Sequence, residues 1–196
     1  MSLKIKVPAT GRTKALIVVD VQSLFMNDDV REIPGKIASL IDQIPYDYYV
    51  ETLFHAETGS IWDKQMQWTG PKPNTARINS VEEISAALAD KDAFYVEKTT
   101  RSAFIGNTVL RDFLKKRSVA EVHIVGLDTS DCVLATAHDA FDEGFISYVI
   151  EECCEVAGDR TLHQAALEIL RYGKLTNNSC LENVLTTYIN LGLSLD

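Results

Sequence analysis

No stretch of the 196-residue sequence approaches the ~20 consecutive apolar residues that a membrane-spanning helix needs. Met1 to Lys14 contains no sustained apolar segment either, so no secretory leader is expected. Basic side chains are in short supply, with 19 Lys and Arg against 28 Asp and Glu and a formal net charge of −9. Nucleic acids and anionic bilayers are held by clustered Lys and Arg, so this balance argues against both as partners. There is no Cys-x-x-Cys pair, which removes the usual dithiol redox motif. The four cysteines are Cys132, Cys153, Cys154 and Cys180, and the adjacent pair suits neither an ordinary disulfide nor a zinc site. A reduced, cytoplasmic protein with free thiols is the expectation. No repeat or linker divides the chain, and a typical domain has ~150 residues, so residues 1–196 read as one domain.

The apolar pattern alternates between strand and helix periods. Ala15 to Val19 is a continuous apolar run closed by Asp20, as a strand buried on both faces would read. Tyr48 to Leu53, Ala93 to Val96, Val122 to Leu127 and Phe145 to Ile150 follow as strands, with a last short one near Leu175. Between them, Ser80-Val81-Glu82-Glu83 has the pattern of a capping box, and helices are expected near 108–116, from Cys132 to Phe141, over Asp159–Tyr172 and from Cys180 to Ile189. This order predicts a three-layer, Rossmann-like α/β fold, with a mostly parallel sheet covered by helices on both faces. The least regular stretch, Ala56 to Asn79, contains both tryptophans and reads as a functional loop.

Open α/β sheets bind ligands beyond the carboxyl ends of their strands. Asp20, Lys98 and Cys132 all fall at that address. Taken singly, each has an ordinary explanation as a turn former, a solvated cation and a packed thiol. Their shared edge points instead to nucleophilic catalysis. Cys132 stands near a helix N-terminus, where the dipole and Lys98 are expected to lower its pKa. Asp20 can carry the thiol proton, and N–H groups of the Asp128–Cys132 turn can face an oxyanion. Phe25, Phe54, Trp62 and Trp68 are candidate pocket walls. Arg101 can either bind a substrate carboxylate or pair with a neighbouring acid.

Three ordered blocks resemble the isochorismatase-like cysteine hydrolases. They are Ala15-Leu16-Ile17-Val18-Val19-Asp20-Val21-Gln22, Lys98-Thr99-Thr100-Arg101-Ser102-Ala103-Phe104, and Val125-Gly126-Leu127-Asp128-Thr129-Ser130-Asp131-Cys132-Val133. The resemblance implies an Asp20–Lys98–Cys132 triad, a cis peptide at Leu127–Asp128, and an oxyanion hole formed by the N–H groups of Asp128 and Cys132. It also implies hydrolysis of a small amide or carbamoyl compound through a thioester, and a homo-oligomer, dimer or tetramer. Nicotinamidases of this family hold a metal through an Asp-x-His pair and a further His. The corresponding region here, Glu51-Thr52-Leu53-Phe54-His55-Ala56, contains no such pair. It looks like the metal-free amidase branch, for which no metal and no cofactor are expected. Two other readings stay open: a catalytically silent binding or assembly module, and a nicotinamidase-like enzyme with an atypical metal site.

Overall fold

The computed structural model describes residues 5–7, 9–56, 58–68, 79–106 and 108–179. Five strands form the frame: β1 (Lys14–Val19), β2 (Tyr48–Phe54), β3 (Phe94–Lys98), β4 (Glu121–Leu127) and β5 (Ile146–Glu155). They lie in the order β3-β2-β1-β4-β5, and every pairing is parallel. The helices are α1 (Ile33–Gln43), α2 (Ile61–Met66), α3 (Glu82–Leu88), α4 (Thr108–Lys116), α5 (Leu134–Asp142) and α6 (Arg160–Tyr172). Among the described residues no helix is long and apolar enough to cross a membrane.

Both faces of the sheet are covered, as its uninterrupted apolar strands require. On one face α1 and α3 bury Ile37, Leu40, Ile84 and Leu88 with Leu16, Val18 and Ile150. On the other, α4, α5 and α6 bury Leu110, Leu114, Ala137 and Leu170 with Ile17, Val122 and Ile124. The chain builds outward from β1 to β3, then crosses back to place β4 on the other side of β1. This reversal opens a crevice beyond the carboxyl ends of β1 and β4. The two strands approach so closely there that a Cβ on Gly126 would sit 2.1 Å from the Val19 carbonyl oxygen. Gly126 also has φ +124, a conformation that glycine adopts without strain.

Several local expectations need revision. Ser80 does not cap α3: the N-cap is Val81, which makes no side-chain cap bond, and Ser80 instead bridges Gln22. Strand β5 continues through Cys153 and Cys154 because, after a bulge, it re-pairs with β4 at Gly126–Cys154 and Leu127–Glu155. The strand near Leu175 is a single parallel bridge, Val149–Thr176. Helix α1 has a sequence signal that went unused: Pro34 in its first turn, then Ile37, Leu40 and Ile41 on one buried face. The Asp159 cap of α6 is present, its carboxylate accepting the Thr161 N–H at 2.9 Å. The irregular 56–79 stretch contains α2, while its residues 57 and 69–78 lie outside the described residues, as do Cys180 and the expected last helix.

Candidate active site

Three strand ends meet at the crevice. Asp20 follows β1 in a left-handed conformation, φ +53. Its backbone N–H donates to the Thr52 carbonyl at 3.2 Å, and the Thr52 hydroxyl donates to its Oδ1 at 2.6 Å. The other carboxylate oxygen lies 2.6 Å from Lys98 Nζ, with both side chains shielded from solvent. Lys98, the last residue of β3, donates its remaining protons to the carbonyls of Thr100 and Arg101, each at 2.8 Å. This ammonium therefore has a fixed seat, anchored by backbone as well as by charge.

Cys132 lies in a π-helical turn, Thr129–Val133, that joins β4 to α5. The Leu127–Asp128 peptide before the turn is cis, at the position that the resemblance implies. The N–H groups of Asp131 and Val133 donate to the Asp128 carbonyl, each at 3.1 Å, which closes the turn back on its first residue. The Cys132 thiol lies within electrostatic reach of both Asp20 and Lys98. Behind it, the Ala103 N–H donates to Thr136 Oγ1 at 3.1 Å, tying the lysine segment to α5.

The charges settle one expectation differently. Burial pushes the Cys132 thiol well above its ordinary value; the Asp20 carboxylate adds to this, and Lys98 opposes it. Burial likewise raises Asp20 against the pull of Lys98, Thr52 and Cys132. Burial alone would lower Lys98, but Asp20 and Cys132 more than offset it, and its pKa is raised. The resting site is therefore a carboxylate–ammonium pair beside a neutral thiol. A helix N-terminus and a lysine do not lower the thiol pKa here because burial outweighs them and the lysine's charge is also matched by Asp20.

Cys132 and Asp128 open onto a cavity of about 420 Å³. The candidate walls Phe25, Phe54, Trp62 and Trp68 line it, joined by Met66. The rings form one continuous wall, with Phe54 edge-on to Trp62 at 5.0 Å and Phe25 stacked on Trp68 at 6.3 Å. Gln22 fixes Phe54 by bonding both its backbone groups, accepting its N–H at 2.7 Å and donating to its carbonyl at 3.1 Å. Trp62 is held by donation of its indole N–H to the Thr99 carbonyl at 2.8 Å. Arg101 takes the second of its two expected roles: it pairs with Asp131 and lies 4.7 Å over the Trp62 ring. Its charge is thus matched beside the cavity rather than free for a substrate carboxylate.

Two polar groups near the site carried no clear sequence signal. Asp128 Oδ1 accepts the Ala157 N–H at 2.9 Å, and His163 Nδ1 lies 2.9 Å from Thr129 Oγ1. Both contacts bring the segment after β5 onto the turn that holds Cys132, across about thirty positions of sequence.

The metal held by nicotinamidases was tested against the residues present. Phe54 is the last residue of β2, and the Lys98 ammonium lies 5.1 Å above its ring. Among the described residues no three His, Cys, Asp or Glu side chains gather; of the undescribed neighbours, 69–78 contain none of these residue types and Glu57 is one. The donor set of the described residues does not fit a metal there.

The chain is similar to several known proteins. An isochorismatase family protein of Bacillus subtilis is 45% identical over 56 residues, spanning only 29% of this chain and 30% of the relative. The nicotinamidase/pyrazinamidase of Mycobacterium tuberculosis is 28% identical over 178 residues, covering 81% of this chain and 94% of that protein. The crystal structure of the nicotinamidase/pyrazinamidase of Bacillus subtilis superposes with a TM-score of 0.70 at 26% identity, over 81% of this chain and 94% of that one. The family model of the isochorismatase domain matches residues 14–184, and the chain belongs to the isochorismatase family.

Proposed function

We propose that this chain is a cysteine amidohydrolase that cleaves the C–N bond of a small amide or carbamoyl compound. The observation that carries the reading is the buried Asp20–Lys98 pair, 2.6 Å apart, whose charges both act on a cysteine that opens onto a cavity. The cavity falls within the range of small-molecule sites, about 300–1,000 Å³. In the reaction, Cys132 Sγ bonds to the substrate carbonyl carbon while Asp20 takes the thiol proton. N–H groups of Asp128 and Cys132 are assigned to the oxyanion. Collapse breaks the C–N bond, and Asp20 returns the proton to the leaving amine. Water, losing a proton to Asp20, then attacks the thioester. The C–S bond breaks, the acid leaves, and the thiol regains its proton.

Lys98 keeps the charge of Asp20 tolerable in a buried site. The relatives named as nicotinamidases support C–N chemistry. We further take residues 1–196 to act as one domain, cytoplasmic and homo-oligomeric; sedimentation velocity of the full chain tests the assembly. The decisive experiment is ammonia release across a panel of small amides, ureides and carbamoyl acids, run with the wild type and Cys132→Ala. Turnover that Cys132→Ala abolishes supports the reading. Turnover retained by that variant overturns it, and silence across the panel favours a binding module.

A further inference from the structure

A second polar cluster lies behind the nucleophile turn and takes no part in the scheme above. Its centre is Glu155, the last residue of β5, facing His163 on α6. Glu155 Oε1 accepts the Val156 N–H at 3.1 Å and lies 3.3 Å from His163 Nδ1; Oε2 accepts from Arg160 at 3.0 Å. The same Nδ1 lies 2.9 Å from Thr129 Oγ1. A carboxylate only accepts, so it selects the imidazole tautomer with hydrogen on Nδ1. The hydrogen bond itself runs from that N–H to the Thr129 hydroxyl oxygen, and Glu155 acts on the ring by charge.

Burial keeps the imidazole below the ordinary histidine value, opposed by Glu155 and Glu151 and assisted by Arg160 and Arg171. Protonation at the far nitrogen would leave the Nδ1 hydrogen in place. The contact is thus a brace rather than a pH switch. A second brace runs beside it, from the Ala157 N–H to Asp128 Oδ1 at 2.9 Å. Together they hold the start of the turn whose fourth residue, counted from Thr129, is Cys132. Thr129 is fully buried, so its hydroxyl has no water to fall back on.

We infer that His163, oriented by Glu155, is a positioning residue that holds Thr129 and, through it, the turn presenting Cys132. The inference rests on the reading of Cys132 as the nucleophile. His163 touches no reacting atom; it limits drift of the sulfur and of the adjoining N–H groups, where a displacement of about 1 Å costs on the order of a hundredfold in rate.

The test uses the full chain and iodoacetamide, with mass spectrometry reporting each cysteine across a pH series. Thr129→Val keeps the side chain's shape and removes only the hydroxyl. It is expected to slow alkylation of Cys132 about tenfold and to move its pH profile upward. His163→Leu should do the same. Thr129→Ser and His163→Asn, which restore an oxygen or an N–H at the contact, should return the wild-type profile, a rescue that loss of packing would not give. If His163→Leu fails to fold, Thr129→Val decides alone. A wild-type rate and profile in Thr129→Val, with a native melting curve, overturns the inference. Wild-type Cys132 that labels no faster than the buried Cys153 and Cys154 overturns instead the assignment of the nucleophile.

Discussion

Replacing Asp20 with Asn separates two roles that a simple loss of activity would merge. The carboxylate and the Lys98 ammonium act on the Cys132 sulfur with opposite signs. In the variant the Thr52 hydroxyl still donates to an oxygen at Oδ1, and Lys98 is still held by the Thr100 and Arg101 carbonyls at 2.8 Å. The ammonium is then a buried charge without its partner, and the one neighbour able to neutralise it is a thiolate at Cys132. An opposite charge at this range favours the ionised form by about 1–4 kcal/mol, or roughly tenfold to a thousandfold in thiolate population. A thiolate of lower pKa is also a poorer nucleophile, with a Brønsted slope of about 0.5, so about half of that exponent survives in rate. Alkylation of Cys132 by iodoacetamide at neutral pH should therefore accelerate about threefold to thirtyfold. Turnover should move the other way, falling about 10²–10⁴-fold for want of a proton carrier. The assay is mass-spectrometric labelling beside ammonia release on one preparation. Slower labelling in Asp20→Asn would refute the charge argument, and unchanged turnover would remove Asp20 from proton transfer.

Two further changes test the frame around the site. Gly126→Ala would place a Cβ 2.1 Å from the Val19 carbonyl oxygen at φ +124, and is expected to destabilise by about 4 kcal/mol; a melting curve matching the wild type would refute the close approach of β1 and β4. Glu51 is buried, its Oε1 lacks a hydrogen-bond partner among the described residues, and burial raises its pKa against a bond from Ser80. Because the folded state keeps this proton longer than the unfolded chain, the contribution of Glu51 is full below the ordinary glutamate range and is lost as pH rises through the folded value. Glu51→Gln should therefore leave Tm unchanged near pH 4 and raise it by about 3 °C at pH 8; an equal effect at both pH values would refute the assignment.

The address of the site was legible because it depends on where apolar runs stop. Asp20 and Lys98 end their strands, and Cys132 opens the turn after Leu127, so counting from the strand ends was enough to bring them to one edge. Sheet order is a separate matter. That β4 lies beside β1 rather than β3 makes Asp20 and Cys132 neighbours, and only the packed sheet displays it. The thiol's protonation was misjudged for a related reason. Sequence supplies a helix start and a lysine, but the sign of the result depends on burial and on which partner already holds the lysine's charge. His163 carries no sequence signal because Thr129 is 34 positions away, and α6 must dock before the two can meet. Ser80 fitted a capping pattern yet went to Gln22, a tertiary pairing overriding a local preference.

The neutral resting thiol bears on how the proposed reaction handles charge. At rest the buried site holds one carboxylate, one ammonium and one thiol, with no net charge. Ionising Cys132 in advance would leave an uncompensated negative charge, the situation that burial penalises most. Attack coupled to proton transfer avoids it. As the C–S bond forms, Asp20 becomes neutral and the negative charge appears on the substrate oxygen, so the total around Lys98 stays constant. What changes is its position, from a carboxylate fixed by Thr52 to an oxygen facing the turn at Asp128. Catalytic advantage in such a site then depends on how firmly that turn is held at the moment the charge arrives, because a loosely held N–H group must first reorganise. This places the demand on the contacts behind the turn, Thr129 with His163 and Asp128 with Ala157, as much as on the three side chains proposed to do the chemistry.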